Sequence, residues 1–138
     1  MAFKMRFLHY PDNKKLSTYC QELNGGFENC SFDRVPPAYP CERERFTVVL
    51  IKAGKELPND LTMFCNGLSK DRTQNVLYIM DAPDASVTAI VDMTKKAGAN
   101  VMGDPVRVKF PGLFGGFSDE AKTTIKAAVD AAYAELSK

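Results

Sequence analysis

The chain has a single histidine, His9, and none of its four cysteines (Cys20, Cys30, Cys41 and Cys65) stands in a Cys-x-x-Cys pair. That combination lacks the spacing of a Cys/His zinc site. Reduced, mostly buried cysteines are the expectation. Long apolar runs are also missing: no stretch approaches the ~18 residues that a membrane-spanning helix needs. An excess of one charge sign is missing too. The formal net charge is +1, so no long-range field draws the chain toward nucleic acid or an anionic membrane. The opening Met1-Ala2-Phe3-Lys4-Met5-Arg6 mixes charge with apolar residues and has no small-residue cleavage site, unlike a secretion signal. A cytoplasmic location is the default expectation. There is no Ser-His-Asp spacing, nucleophile elbow, P-loop or metal cluster, so no catalytic residue and no metal ligand is assigned.

What is present is an ordinary globular balance. The 138 residues are 45% hydrophobic and 25% charged, enough for one domain over residues 1–138 with a real core. No repeat, low-complexity tract or linker divides it.

The periodicity alternates between strand and helix. Phe3 to His9 reads as a first strand. Asp12 or Asn13 caps a helix whose Leu16, Tyr19, Cys20 and Leu23 share one face, and Gly25-Gly26 ends it. Ser31 to Val35 is a short edge strand. The proline-rich Val35-Pro36-Pro37-Ala38-Tyr39-Pro40-Cys41 is unsuited to regular structure. Phe46 to Ile51 is nearly all apolar, as a strand buried on both faces should be. Ala53-Gly54-Lys55-Glu56 is a loop, and Pro58 suits the start of a helix striped by Leu57, Leu61, Phe64, Cys65 and Leu68. Val76 to Met80 is another buried strand. Asp84 is expected to cap a third helix that ends at Gly98. Asn100 to Met102 and Val106 to Phe110 form a last strand, interrupted by Gly103-Asp104-Pro105. Ser118 caps the final helix, with Asp119 and Glu120 suited to its first turn. One crossover, between the second and third strands, lacks a full helix. The expectation is an α/β fold: a doubly wound sheet of five mostly parallel strands, order 2-1-3-4-5, flanked by helices.

From Phe46 to Ala134 the order and spacing of elements resemble the flavodoxin family. The residues that carry the likeness are the turn Ala53-Gly54-Lys55-Glu56-Leu57-Pro58, the strand running into Asp81-Ala82-Pro83, and Lys96-Ala97-Gly98-Ala99-Asn100-Val101-Met102-Gly103. Receiver domains share the strand order but resemble one another in acidic residues where this chain has Leu8-His9-Tyr10 and Ile51-Lys52-Ala53. The flavodoxin resemblance implies a pocket at the carboxyl ends of the strands that holds FMN. It further implies electron transfer or flavin reduction with a redox partner protein. On that reading Tyr10, Asn13, Lys14, Lys15, Ala53, Gly54, Lys55, Asp81 and Ala82 would line the flavin.

The phosphate-binding loop of that family is rich in hydroxyls and glycine. The matching segment of this chain is His9-Tyr10-Pro11-Asp12-Asn13-Lys14-Lys15, with no glycine and no hydroxyl other than Tyr10. Pro11 removes a backbone donor. Lys14 and Lys15 in a first helical turn form an anion site or a solvated surface. Tyr10 stacks on a flat ring or covers the sheet end. His9 makes a polar contact in the pocket or is a satisfied strand-end residue, the commoner role. Pro111-Gly112-Leu113-Phe114-Gly115-Gly116-Phe117 puts apolar side chains on a flexible backbone. It is a docking surface for self-association, a pocket lid, or a loop folded onto the core. Two functions follow: a flavin-dependent electron carrier or reductase, or a module of the same build that has lost FMN and binds something else.

Overall fold

The structure, a computed structural model, describes residues 3–138. The elements in chain order are β1 (Met5–Tyr10), α1 (Lys14–Asn24), β2 (Cys30–Arg34), β3 (Glu44–Lys52), α2 (Asn59–Asn66), β4 (Thr73–Asp81), α3 (Asp84–Ala97), β5 (Asn100–Val101), β6 (Val106–Arg107) and α4 (Asp119–Leu136).

One open sheet runs β2-β1-β3-β4-β5, and every pairing in it is parallel. The central strands follow from their sequence. In β3, Phe46 to Ile51 are all buried, and in β4 Val76 to Met80 are. Such strands are apolar at every position because helices cover both faces. Period-two alternation then divides each strand between two cores. Phe7, Val48, Leu50 and Ile79 pack with Leu16, Tyr19, Ile125 and Val129 of α1 and α4. Leu8, Val49, Ile51 and Tyr78 pack with Leu61, Cys65, Val87 and Ile90 of α2 and α3. The architecture is an α/β open sheet with helices on both faces, compatible with double winding.

The edge departs from the expected five strands, because there are six among the described residues. β5 pairs with Asn75 and Val76 of β4, and β6 pairs farther along the same strand with Ile79 and Met80. Between them the backbone turns at Gly103, where φ is +58°. Two short strands in series thus fill the fifth position. β2 begins at Cys30 rather than Ser31. α3 is capped by Pro83, and Asp84 is its first helical residue. The Asp84 carboxylate is free of capping duty and takes the Arg107 guanidinium at 2.9 Å instead.

The crossover from β2 to β3 has no helix. Residues 35–43 form a strap pinned at several points. Val35 N donates to His9 O (2.8 Å), Ala38 N to Asp33 Oδ2 (2.9 Å), Arg6 Nη1 to Tyr39 O (2.8 Å) and Arg43 N to Asp71 O (2.9 Å). Pro36, Pro37 and Pro40 stiffen it further.

Candidate functional site

In a doubly wound sheet the crevice for ligands lies outside the carboxyl ends of the strands, where the order reverses. In this chain that point lies between β1 and β3. Tyr10, Asn13, Lys14, Lys15, Ala53, Gly54, Lys55, Asp81 and Ala82 all fall at or just past the carboxyl ends of β1, β3 and β4. The fold gathers them at one end of the sheet but gives most of them partners within the chain.

At the end of β1, His9 is 2% exposed and its Nδ1 lies 3.0 Å from Pro11 O. It is the satisfied strand-end residue. Tyr10 is half-buried against the α2 side. Burial, then the nearby Asp60 charge, raise its phenol pKa. Asp12 faces Arg34 at 3.6 Å. Asn13 is the N-cap of α1, its Oδ1 accepting from Leu16 N at 2.9 Å. A cap of this type satisfies one of the free N–H groups of the first turn. Lys14 is exposed. Lys15 points into the chain, its Nζ donating to Gly112 O (2.8 Å) and Leu113 O (3.1 Å).

The loops after β3 and β4 are tied in the same manner. Ala53 N donates to Asp81 O at 3.1 Å. Ser86 Oγ donates to Gly54 O (2.7 Å) and Lys55 O (3.4 Å). The Asp81 carboxylate accepts from Phe110 N at 3.0 Å, and Ala82 O accepts from Arg107 Nη2 at 2.6 Å.

Some of these ties close the crevice. The segment after β6 lies across the carboxyl end of the sheet, held by Lys15, by Asp81, and by Lys52 Nζ at 3.5 Å from Pro111 O. Phe110 is 3% exposed and its ring sits 5.1 Å from that of Phe117, which in turn lies 4.5 Å from Tyr19. At the β1–β3 point only a cavity of about 60 Å³ remains, between Asn13, Lys15, Leu16, Lys52, Phe110 and Pro111, well below the ~300 Å³ from which ligand pockets run. An open groove of about 330 Å³ runs along Asp81, Ala82, Arg107 and Lys109 at the end of β4. The groups expected to meet a phosphate do not form a cradle for one: Pro11 has no N–H, Asn13 Oδ1 caps α1 and Lys15 serves loop carbonyls, which leaves the exposed Lys14 alone. The residues present do not fit FMN at this loop.

The same loop that closes the crevice turns its tip outward. Leu113 and Phe114 are 86% and 88% exposed. Gly115, at φ +79°, lets the chain double back to the core residue Phe117. The sequence marks this loop by its composition. The closing contacts of Lys15, Lys52 and Asp81 carry no local signal.

Bordering the small cavity through Lys15 and Pro111, a cleft of about 450 Å³ opens between Lys14, Lys15, Tyr19, Pro111, Phe117 and Lys122. Lys122 is not free there, lying 3.9 Å from Glu22 and over the Tyr19 ring. Among the described residues no three His, Cys, Asp or Glu side chains are placed to hold a metal ion, and no helix is long and apolar enough to cross a membrane.

Comparison of the chain with protein-family models, with curated proteins and with solved structures finds no match. The functional reading therefore rests on the site.

Proposed function

We propose that this chain is an interaction module of flavodoxin-like build that associates with a second copy of itself through the loop at the carboxyl end of its sheet. The observation that carries the reading is the pinned loop with an apolar tip. Leu113 and Phe114 stand almost fully exposed on a backbone anchored by Lys15, Lys52 and Asp81. Adjacent exposed apolar side chains commonly mark interfaces. Anchoring the backbone at Gly112 O and Leu113 O reduces the conformational entropy that the tip would lose on binding. A two-fold arrangement sets the tips of two copies against each other, and this symmetry is the commonest among homo-oligomers.

The electron-carrier role that the resemblance implies would need residues 110–112 to leave the crevice and Lys15 to exchange two carbonyls for a phosphate. The arrangement of these groups supports the interaction reading over it.

Size limits the strength of the contact. A Phe buries ~150–250 Å² and a Leu somewhat less, so the four side chains of two tips bury on the order of 700 Å² in total. Stable interfaces bury ~1,200 Å² or more. A weak, concentration-dependent dimer is expected. Sedimentation equilibrium of the parent and of Leu113→Ser/Phe114→Ser tests this. The parent should show a rising mass with concentration and the double variant a monomer mass with unchanged circular dichroism. A parent that stays monomeric up to millimolar concentration would sink the proposal.

A further inference from the structure

The absent crossover helix leaves a second feature, on the α2 side of the sheet and away from the loop tip. Parallel strands are usually joined by a helix that packs on the sheet. Residues 35–43 make the same connection as a thin strap, and a cleft of about 390 Å³ opens between the strap and α2. Pro36, Pro37 and Pro40 form one wall, and Met63, Phe64 and Leu68 the other. Cys41 is also part of the lining, but it is 3% exposed and burial raises its thiol pKa, so it packs rather than reacts. The volume falls in the range of small-ligand sites.

Two charged residues set the chemistry. Asp60 lies in the first turn of α2, near the carboxyl ends of the strands. Arg72 precedes β4 at the opposite end of the sheet. With a rise of 1.5 Å per residue along α2, they mark the ends of a groove on the order of 10 Å long. Arg72 Nη1 donates to Cys41 O at 3.3 Å, and Arg72 as a whole is exposed. A guanidinium has five N–H donors in a planar fork that matches a carboxylate. Asp60 disfavours a second negative charge at the far end.

We propose that this cleft binds a small monocarboxylate with an aromatic or branched carbon body. The carboxylate sits on Arg72, and the body lies between the strap prolines and Met63 and Phe64. The walls are in place beforehand, because the strap is held by Arg6 at Tyr39 O, by Asp33 at Ala38 N, and by Arg72 itself. A preformed apolar slot with one convergent polar group is the common build of such sites.

Titration with phenylbutyrate, followed by calorimetry and by the NMR signals of the Met63 methyl and Phe64 ring, tests the assignment. Saturable one-site binding is expected, with shifts confined to these residues and the strap. Phenylbutyramide, which has the same body without the charge, should bind about ten-fold more weakly or worse. Adipate, a dicarboxylate, should also bind more weakly than phenylbutyrate. Arg72→Gln should lose about ten-fold. Because that change also frees Cys41 O, Met63→Asp is the companion variant. Met63 is 72% exposed, so the fold should tolerate the charge while binding is lost. Leu113→Ser/Phe114→Ser should bind phenylbutyrate as the parent does. Equal affinity for the acid and the amide, shifts mapping elsewhere, or no saturation at millimolar ligand would each overturn the proposal.

Discussion

Arg6 and Glu44 lie buried side by side, with 3.9 Å between Arg6 Nη1 and Glu44 Oε1. Arg6 Nε and Glu44 Oε2 have no hydrogen-bond partner among the described residues. Removing one member of a buried pair leaves an uncompensated charge and typically costs ~3–5 kcal/mol, whereas replacing both by apolar residues is often neutral. Arg6→Met should therefore lower stability by about 3 kcal/mol in urea denaturation, and Arg6→Met/Glu44→Leu should regain part of it, because Arg6 also serves Asp33 at 3.8 Å and Tyr39 O at 2.8 Å, and Lys4 lies 3.9 Å from Glu44. A double variant no better than the single one would assign the role of Arg6 to the strap carbonyl of Tyr39 instead. The cysteines differ in access more than in chemistry. Burial pushes the Cys20 and Cys30 thiols up to about 12 and the Cys65 thiol to about 11, but only Cys30 is not fully buried. Iodoacetamide should label Cys30 first in the native chain, read by peptide mass mapping. Roles set by near neighbours were partly legible in the sequence: the cap of α1 was narrowed to Asp12 or Asn13, and Asn13 makes it three residues away, and His9 is satisfied two residues away. Lys15 was not, because its partners lie 97 and 98 positions along the chain.

At the level of elements, apolar periodicity located all four helices, since each buries a face against the sheet. Caps were legible where a side chain makes the bond, as at Asn13 and Ser118. The start of α3 was misread by one residue because Pro83 takes the cap position without a side-chain bond. The strap was visible as a proline-rich gap, yet nothing local revealed that it would stand off α2 and leave a cleft. Asn13→Ala should cost about 1 kcal/mol through the lost cap, measured by thermal or urea unfolding. Lys15→Met should leave the core intact but free the loop, seen as faster amide hydrogen exchange at Leu113 and Phe114. Unchanged exchange at those amides would mean that Lys15 does not hold the loop.

Over the whole molecule, the layered order was legible because central parallel strands must be apolar on both faces. The split of the fifth strand into two, and the closure of the crevice by residues 110–112, depend on contacts between distant segments that composition does not encode. The titratable groups shifted by burial point one way. Cys20, Cys30 and Cys65 stand above their ordinary 9.0, and Tyr19 is raised from 10.0 to about 12. In each the folded chain holds its proton more tightly than the unfolded chain. Their contribution is complete below pH 9 and is lost as pH rises through the window from 9 to about 12. Urea midpoints should be flat near neutrality and fall steadily above pH 9. A midpoint that rises over that window would contradict the burial of these groups.

The claim on which the functional reading turns is that the chain's own loop fills the crevice where a flavin would sit. Fluorescence titration of FMN with the purified protein tests it most directly. The account predicts no saturable quenching with tens of micromolar protein. Tight, saturable quenching would mean that Phe110 and Pro111 leave the crevice and Lys15 turns to a phosphate, and the electron-carrier reading would then replace the one argued from the closed loop.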